Sequence, residues 1–127
     1  MKDKITGIGV DIESIDRFRN LPFESNKKFY RKIFTSLEIE YCLKKKDAYS
    51  HFAARFAAKE SAIKALGKEK KYSYSEIEIR NDSKGRPNLY FFNKDNKSEE
   101  SKYSPENTFL SISHCDNYAI AFVISTK

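Results

Sequence analysis

The segment HFAARFAAKESAIKALG, residues 51–67, restricts the possible folds more than any other part of the sequence. At roughly 100° per residue, its large apolar side chains fall within one arc of about 80° on a helix. These side chains are Phe52, Phe56, Ile63 and Leu66. The segment therefore predicts a long helix with one face packed against a core. Lys59 lies within that arc and Glu60 lies at its edge, so two charges occupy positions where the pattern requires apolar side chains.

Glu60 and Lys64 allow two interpretations. A glutamate followed four residues later by a lysine is a common ion pair on the solvent face of an amphipathic helix. The helix taken alone favours that interpretation. A row of small residues, Ala53 and Ala57, runs beside Glu60. Whether the two charges serve a function therefore has to be decided by the rest of the chain.

The N-terminal segment ITGIGVDI, residues 5–12, alternates with the period of a β-strand. One face carries branched apolar side chains, and the other carries two glycines followed by a carboxylate: Ile8, Val10 and Ile12 against Gly7, Gly9 and Asp11. Glycine within a strand often marks a close approach of a ligand or another backbone. If this strand packs against the long helix, Asp11 and Glu60 come together.

The order of the remaining patterns predicts an α+β fold, with a mostly antiparallel sheet packed against the long helix. Ser14 and Ser50 are predicted helix caps, residues 25–34 a helix, and TSLE at 35–38 a capping box that opens another helix. Two hairpins follow, SEIEIR with PNLYFF and TFLSISH with YAIAFVIS, the first with Gly85 in its turn. The polar run at 93–107 predicts a surface loop. At 127 residues we expect one domain, residues 1–127.

The net charge of +6 is concentrated near the N-terminus. Between Ser14 and Phe34, six basic residues face two acidic ones, a local excess of six minus two, or +4. Such an excess attracts an anionic partner, which is nucleic acid, a membrane surface or an acidic protein. A solvated helix face that keeps the protein in solution is the alternative explanation.

Composition favours a cytoplasmic protein. The two cysteines, Cys42 and Cys115, show neither a CxxC pair nor metal-ligand spacing with the two histidines. No stretch is long and apolar enough for a membrane span, and the first residues do not resemble a signal peptide. We therefore expect a reduced protein without membrane contact.

The carboxylates of Asp11 and Glu60 suggest a magnesium site. Two hard oxygen ligands suit magnesium, which keeps several waters and takes further ligands from substrate phosphates. Basic groups near them would balance the phosphate charge: Lys59, Lys64, Arg55 and the lysine-rich turn after Gly67. His114 is suited to proton transfer or phosphate binding. Each of these residues also has an ordinary structural explanation.

Three separated motifs resemble the acyl carrier protein synthase family, the small group of phosphopantetheinyl transferases. They are GIGVDIESIDRF at the N-terminus, RFAAKESAIKALG in the long helix and SISHCDNYAIAFV at the C-terminus. The segment SYSEIEIRNDSKGRPNLYF is similar to the family's central hairpin. The resemblance covers most of the chain, in the same order and at similar spacing.

The resemblance implies transfer of the phosphopantetheine arm of coenzyme A to a serine of apo acyl carrier protein, with release of adenosine 3',5'-bisphosphate. Asp11 and Glu60 match the family's magnesium ligands, and Lys64 matches a lysine near the phosphates. His114 matches the histidine of the C-terminal strand. Glu60, Lys64 and His114 are therefore the expected catalytic residues. The serine proton would pass to Glu60 or to a water on the metal, and the sequence leaves both open.

The resemblance also implies binding surfaces. The expected coenzyme A-binding residues are Arg55, Lys64, Gly85, Arg86, Pro87 and His114. Arg17 matches an arginine that faces the carrier protein, and the basic segment around it is expected to dock an acidic helix through Arg17, Arg19, Lys28 and Arg31. The family forms trimers with sites between subunits, so we expect a homotrimer. The alanine row beside Glu60 would serve close packing at those interfaces.

A non-catalytic basic module that binds RNA or DNA is the alternative function. It would explain the positive charge and the aromatic content of 14%, because aromatic rings stack on bases. No nucleic-acid-binding motif is present, and most aromatic residues fall on predicted core stripes. We therefore predict the enzyme, with no nucleic-acid partner.

Overall fold

The computed structural model describes residues 4–67, 71–92 and 107–127, and it has the predicted α+β architecture. Strand β1 (Ile5–Ser14) leads into helices α1 (Ile15–Arg19), α2 (Lys27–Ile33), α3 (Ser36–Leu43) and α4 (Ala48–Leu66). Strands β2 (Ile77–Asn81), β3 (Pro87–Phe91), β4 (Thr108–His114) and β5 (Tyr118–Thr126) follow. Short 3₁₀ turns, Phe23–Ser25 and Tyr74–Glu76, precede α2 and β2. Residues 68–70 of the lysine-rich turn and 93–106 of the predicted loop lie outside the described ranges.

Both predicted hairpins are confirmed, and the strands form two antiparallel sheets. The larger sheet has the order β1-β5-β4, and β2 and β3 form a two-stranded sheet. Gly85 lies in the β2–β3 turn with a φ of 84°, a conformation that favours glycine. The Asp82 carboxylate accepts hydrogen bonds from the backbone N–H groups of Lys84 and Arg86, each at 2.9 Å. These bonds fix the shape of the turn.

One predicted helix cap, the Thr35 capping box, is confirmed, and another, Ser50, is wrong. Thr35 and Glu38 form the predicted capping box, with the Glu38 N–H 3.3 Å from Thr35 Oγ1. Ser50 does not cap α4, because the helix begins at Ala48 and the Ser50 hydroxyl donates to the Asp47 carbonyl at 2.9 Å. The predicted helix at 25–34 is a 3₁₀ turn followed by the shorter α2.

Helix α4 is central rather than amphipathic. Its arc of large side chains is only part of its buried surface, since the small residues on the other sides are buried too. Ala53 packs in a core with α1, α2 and α3, whereas Ala57 packs in a second core with β2, β3 and β5. Both alanines are fully buried within the chain, so their predicted use in packing between subunits is wrong.

The glycine face of β1 lies directly on the backbone of α4. A Cβ atom at Gly9 would lie 1.9 Å from the carbonyl oxygen of Ser61, and one at Gly7 would lie 1.8 Å from that of Ala65. Any side chain at these positions would overlap the helix, so only glycine permits the contact. This close approach brings Asp11, the next residue on the same face, beside the C-terminal half of α4.

Lys59 occupies a buried ion pair. Its ammonium group lies 2.7 Å from Glu38 Oε1, and both side chains are fully buried. Lys59 also donates to the backbone carbonyls of Tyr74, at 2.8 Å, and Ile77. The other oxygen of Glu38 accepts from the Ile79 N–H at 2.9 Å. The pair joins α3, α4 and the start of β2, so the prediction that Lys59 balances substrate phosphate charge is wrong.

Aromatic rings fill the core between α4 and the first three helices. The buried rings of this cluster are Phe18, Phe23, Tyr30, Phe34, Phe52 and Phe56. These rings are held inside the chain, where they cannot stack on bases. Within the described ranges, no helix has the length and apolarity that a membrane crossing requires.

We expect Gly9→Ala to lower the free energy of unfolding by about 3 kcal/mol or more, because the new methyl group overlaps the backbone of α4 and cannot be accommodated by a side-chain rotation. Urea denaturation followed by circular dichroism measures the change. Ser14→Ala, on the same strand, is the control. Ser14 is exposed and its side chain makes no capping bond, so its loss should cost less than about 0.5 kcal/mol. Equal stability of the two variants would contradict the close contact.

Candidate active site

Asp11 lies at the point where β1 crosses α4. Lys64 Nζ is 3.6 Å from Asp11 Oδ1 and donates to the carbonyl of Val10 at 2.9 Å. The other carboxylate oxygen, Oδ2, is buried and has no hydrogen-bond partner. A buried carboxylate oxygen without a partner is costly, because it has lost its hydration. Asp11 therefore has one buried carboxylate oxygen that a ligand could satisfy.

Glu60 faces the same region from α4. The Tyr74 hydroxyl donates to Glu60 Oε1 at 2.6 Å, and this hydrogen bond is the main reason that the pKa of Tyr74 is raised to about 12. Lys64 pairs with Asp11 rather than with Glu60. The interpretation of Glu60 and Lys64 as a simple ion pair on the solvent face is therefore wrong.

Glu13 adds a third carboxylate that the sequence analysis did not identify. It lies two residues after Asp11 on the same face of β1, and only 11% of its side chain is exposed. Burial, then a hydrogen bond and repulsion from Asp11, raise the pKa of Glu13 to about 7. Arg17 approaches at 3.2 Å and offsets part of this effect. We call Asp11, Glu13 and Glu60 the carboxylate corner.

The donors of the carboxylate corner fit a hard divalent cation. Carboxylate oxygens are the ligands that magnesium prefers, and a cation there would satisfy Asp11 Oδ2 and reduce the repulsion around Glu13. Among the described residues, no three His, Cys, Asp or Glu side chains form a ready-made metal cage. That agrees with magnesium, which binds through one or two carboxylates and completes its shell with waters and phosphate oxygens.

His114 lies in a separate basic cleft. The cleft has a volume of about 740 Å³ and is lined by Lys45, Lys46, His51 and His114 among others. The His51 and His114 rings are 5.7 Å apart. Burial, and then the neighbouring His114, lower the pKa of His51. The lysine run at 44–46 is the sequence signal for this cleft, but nothing in the sequence links it with His114.

Within one chain, His114 lies across strand β5 from the carboxylate corner. His114 on β4 pairs with Ala119 of β5, which pairs with Glu13 on β1. Two strand spacings separate the backbones of His114 and Glu13 by roughly 10 Å. On α4, His51, which contacts His114, precedes Glu60 by nine residues, a rise of about 13 Å. The predicted catalytic set thus divides into Glu60 with Lys64 on one side and His114 on the other.

Arg55 is linked to the β2–β3 turn through Asn81. Its guanidinium donates to Asn81 Oδ1 at 2.7 Å, and Asn81 Nδ2 donates to the Gly85 carbonyl at 3.0 Å. Arg55 also stacks over the Tyr41 ring, 4.0 Å from its centre, and its buried Nε has no partner. Two further predicted residues of this turn, Arg86 and Pro87, line a cleft beside β4. Arg55 and the turn are therefore physically coupled.

The basic residues predicted to dock a partner differ in availability. Lys28 and Arg31 are exposed on α2. Arg17 is exposed but pairs with Glu13 and lies 5.6 Å from the Phe56 ring. Arg19 is held by Asp16 at 3.1 Å and Asp47 at 2.9 Å. Its charge is therefore largely neutralised by these two carboxylates of the same chain.

Comparison with known proteins agrees with the motifs. A family model described as the 4'-phosphopantetheinyl transferase superfamily matches residues 7–123. A holo-[acyl-carrier-protein] synthase from Thermodesulfovibrio yellowstonii is 41% identical over 124 residues, which are 96% of this chain and 99% of that protein. The structure of a holo-(acyl-carrier-protein) synthase from Bacillus anthracis in complex with CoA (3',5'-ADP) has a TM-score of 0.74 at 33% identity, with 97% of each chain covered. That of the Neisseria meningitidis synthase has a TM-score of 0.78 at 28% identity and covers 98% of this chain and 100% of its own.

The α+β fold, the carboxylate corner and these matches define a group-transfer enzyme. The chain belongs to the 4'-phosphopantetheinyl transferase superfamily, as its three motifs predicted. The similarity extends over nearly the whole described chain, so it includes the strand that carries Asp11 and the helix that carries Glu60.

Glu13 gives the metal-free protein a distinctive pH dependence. Its pKa is about 7 in the folded state against an ordinary 4.5, so between these values the folded protein binds more protons than the unfolded chain. Stability therefore falls as the pH rises through this range. We expect Glu13→Gln, which cannot ionise, to raise the Tm by about 3–6 °C at pH 8 in a chelating buffer, and far less at pH 5.

Thermal denaturation at both pH values checks this expectation, with Glu40→Gln as the control. Glu40 is an exposed residue that pairs with Lys44 at the surface, and such pairs contribute little. An equal gain for Glu13→Gln at both pH values would contradict a raised pKa.

Proposed function

We propose that this chain transfers 4'-phosphopantetheine from coenzyme A to a serine of an apo acyl carrier protein in a magnesium-dependent reaction. The products are the holo carrier protein and adenosine 3',5'-bisphosphate. The observation that carries the proposal is that Asp11 and Glu60 both lie close enough to Glu13 to raise its pKa, with Lys64 paired to Asp11, on a chain of this superfamily. The names of its relatives, and the coenzyme A in the Bacillus anthracis complex, support the same activity.

Asp11 and Glu60 would hold the magnesium ion. When bound, the ion neutralises the pyrophosphate and favours departure of the bisphosphate. Lys64 is 54% exposed, so its ammonium group can turn from Asp11 to the phosphate oxygens and stabilise the leaving group. Phosphoryl-group chemistry of this kind depends mainly on alignment and on positive charge around the oxygens. The chain's own groups supply both on one side of α4.

The rest of the coenzyme A site is proposed to come from a second copy of the chain. Arg55, the Gly85–Pro87 turn and His114 lie on the other side of α4 from Glu60, with the lysines of the basic cleft. In this arrangement the carboxylate corner of one subunit receives the pyrophosphate. His114 of the partner subunit, with Lys45 and Lys46 beside it, binds the remaining phosphate of the nucleotide. The nine-residue offset along α4 between Glu60 and His51, which contacts His114, supports this division.

The outer face of the β1-β5-β4 sheet supports a homotrimer. It exposes a set of large apolar side chains that a separate chain would leave in water: Ile8, Val10, Ile12, Phe109, Tyr118, Ile120 and Phe122. A contiguous exposed apolar surface of this kind marks a protein–protein interface. Copies of the chain would cover it by packing sheet against sheet around a three-fold axis.

The exposed basic residues of α1 and α2 are the proposed docking surface for the carrier protein. Arg17, Lys28 and Arg31 would attract an acidic helix, and Arg19 would shape the surface through its pairs with Asp16 and Asp47. Attraction across this surface should raise the association rate and weaken with salt. Both cysteines are free, which supports the proposed cytoplasmic location.

Incubation with apo carrier protein, coenzyme A and magnesium should increase the intact mass of the carrier by one phosphopantetheine group. We expect Glu60→Gln and Asp11→Asn to reduce the rate by more than about 100-fold, because each removes a charged ligand oxygen. Glu40→Gln, at an exposed site, is the control and should retain full activity. A carrier that gains no mass, or a Glu60→Gln variant with normal rate, would refute the assignment.

The assembly makes a second prediction. Light scattering should give a mass near 44 kDa, three times the 14.8 kDa chain. Ile8→Glu should yield smaller species and lose activity, because it places a charge in the apolar face. Leu43→Glu is the control, since Leu43 is also an exposed apolar residue but lies on α3.

Mixed assemblies test whether two subunits share one site. Glu60→Gln and His114→Ala proteins, refolded together, should regain about one quarter of the wild-type activity if the two residues act across subunits. No recovery in mixed trimers would place both residues in one chain's site.

A further inference from the structure

The Tyr74 hydroxyl forms a hydrogen bond with the carboxylate of Glu60. The hydroxyl donates to Oε1 at 2.6 Å, the length of a strong, charge-assisted bond. The bond occupies one oxygen and leaves Oε2 for other ligands. Tyr74 lies at the start of the segment that resembles the family's central hairpin, but the sequence gives no sign of its contact with Glu60.

The buried ion pair of Lys59 and Glu38 fixes the backbone of Tyr74. Lys59 donates to the Tyr74 carbonyl at 2.8 Å and is itself held by Glu38 at 2.7 Å. The Tyr74 ring packs against Phe56, with 5.2 Å between the ring centres. Lys59 and Phe56 both lie on α4, the helix that carries Glu60. The tyrosine is therefore anchored to the same helix whose carboxylate it contacts.

We propose that Tyr74 is a positioning residue that holds Glu60 in the orientation needed to bind the divalent cation. Glu60 shares the carboxylate corner with the Asp11 carboxylate, and repulsion between the two favours rotation of Glu60 towards solvent. The hydroxyl of Tyr74 opposes that rotation by fixing Oε1, so that Oε2 is directed towards the cation. Groups that hydrogen-bond to metal ligands typically change metal affinity by about 10–100-fold. The inference rests on the proposed function, because it takes Glu60 as a metal ligand.

Tyr74→Phe separates this role from a structural one. Phenylalanine keeps the ring that packs on Phe56 and the backbone carbonyl that Lys59 holds, and removes only the hydroxyl. Titration of the metal-free protein with Mn²⁺, followed by electron paramagnetic resonance, measures the affinity directly. We expect the dissociation constant for Mn²⁺ to rise about 10-fold. Tyr90→Phe is the matched control, since Tyr90 lies on β3 beneath Arg80, and its affinity should equal that of the wild type.

Transfer assays give a second readout. For Tyr74→Phe, the magnesium concentration that gives half-maximal rate should rise by a similar factor, while kcat at saturating magnesium should change less than about threefold. A purely structural role would instead lower the Tm and leave the magnesium midpoint unchanged. That result, or an unchanged affinity for Mn²⁺, would overturn the proposal.

Glu60→Gln distinguishes failure of this inference from failure of the function beneath it. If Glu60→Gln weakens Mn²⁺ binding and Tyr74→Phe does not, only the role of Tyr74 is wrong. If Glu60→Gln binds Mn²⁺ as the wild type does, Glu60 is not a metal ligand, and the proposed function fails together with the role of Tyr74.

Discussion

The contact between the glycine face of β1 and the backbone of α4 determines where the functional groups lie. Because Gly9 brings the strand onto the Ser61 carbonyl, the next side chain on that face, Asp11, reaches the turn of α4 that carries Glu60 and Lys64. A larger residue would move the strand outward by several tenths of an ångström or more, and the carboxylates would separate. Backbone packing, rather than a binding loop, therefore sets the geometry of the candidate site.

The buried pair of Lys59 and Glu38 also sets the geometry of the candidate site, from the opposite side of the helix. Breaking a buried ion pair by removing one partner typically costs about 3–5 kcal/mol, although an apolar pair of the same volume can be equally stable. The pair is thus better explained by the positions in which it holds its hydrogen-bond partners than by its contribution to stability. Through its bonds to the Tyr74 and Ile77 carbonyls, Lys59 attaches the segment before β2 to α4. An apolar replacement would fill the space without holding those carbonyls.

The sequence predicted the parts of this arrangement that depend on local patterns. The Thr35 capping box, both hairpins and the glycine face of β1 follow from periods and turn residues that act over a few positions. The burial of Lys59 could not be predicted, because its partner, Glu38, lies in another helix and looks like an ordinary capping residue. The contact of Tyr74 with Glu60 was equally hidden, since it depends on how the chain returns to α4 after residues 68–70. The family motifs identified Asp11 and Glu60, but only the fold revealed Glu13 as a third carboxylate near them.

The carboxylate corner has an energetic consequence for the whole chain. Its three acidic side chains lie on β1 and α4, the two elements whose contact organises the fold, so their repulsion acts directly on that contact. Lys64, Arg17 and Tyr74 each offset part of the repulsion, through a charge or a hydrogen bond. The compensation is incomplete, because Asp11 Oδ2 has no partner and Glu13 retains its proton up to about pH 7. Binding of a cation would remove the remaining cost, so the same groups that weaken the empty fold make ligand binding favourable.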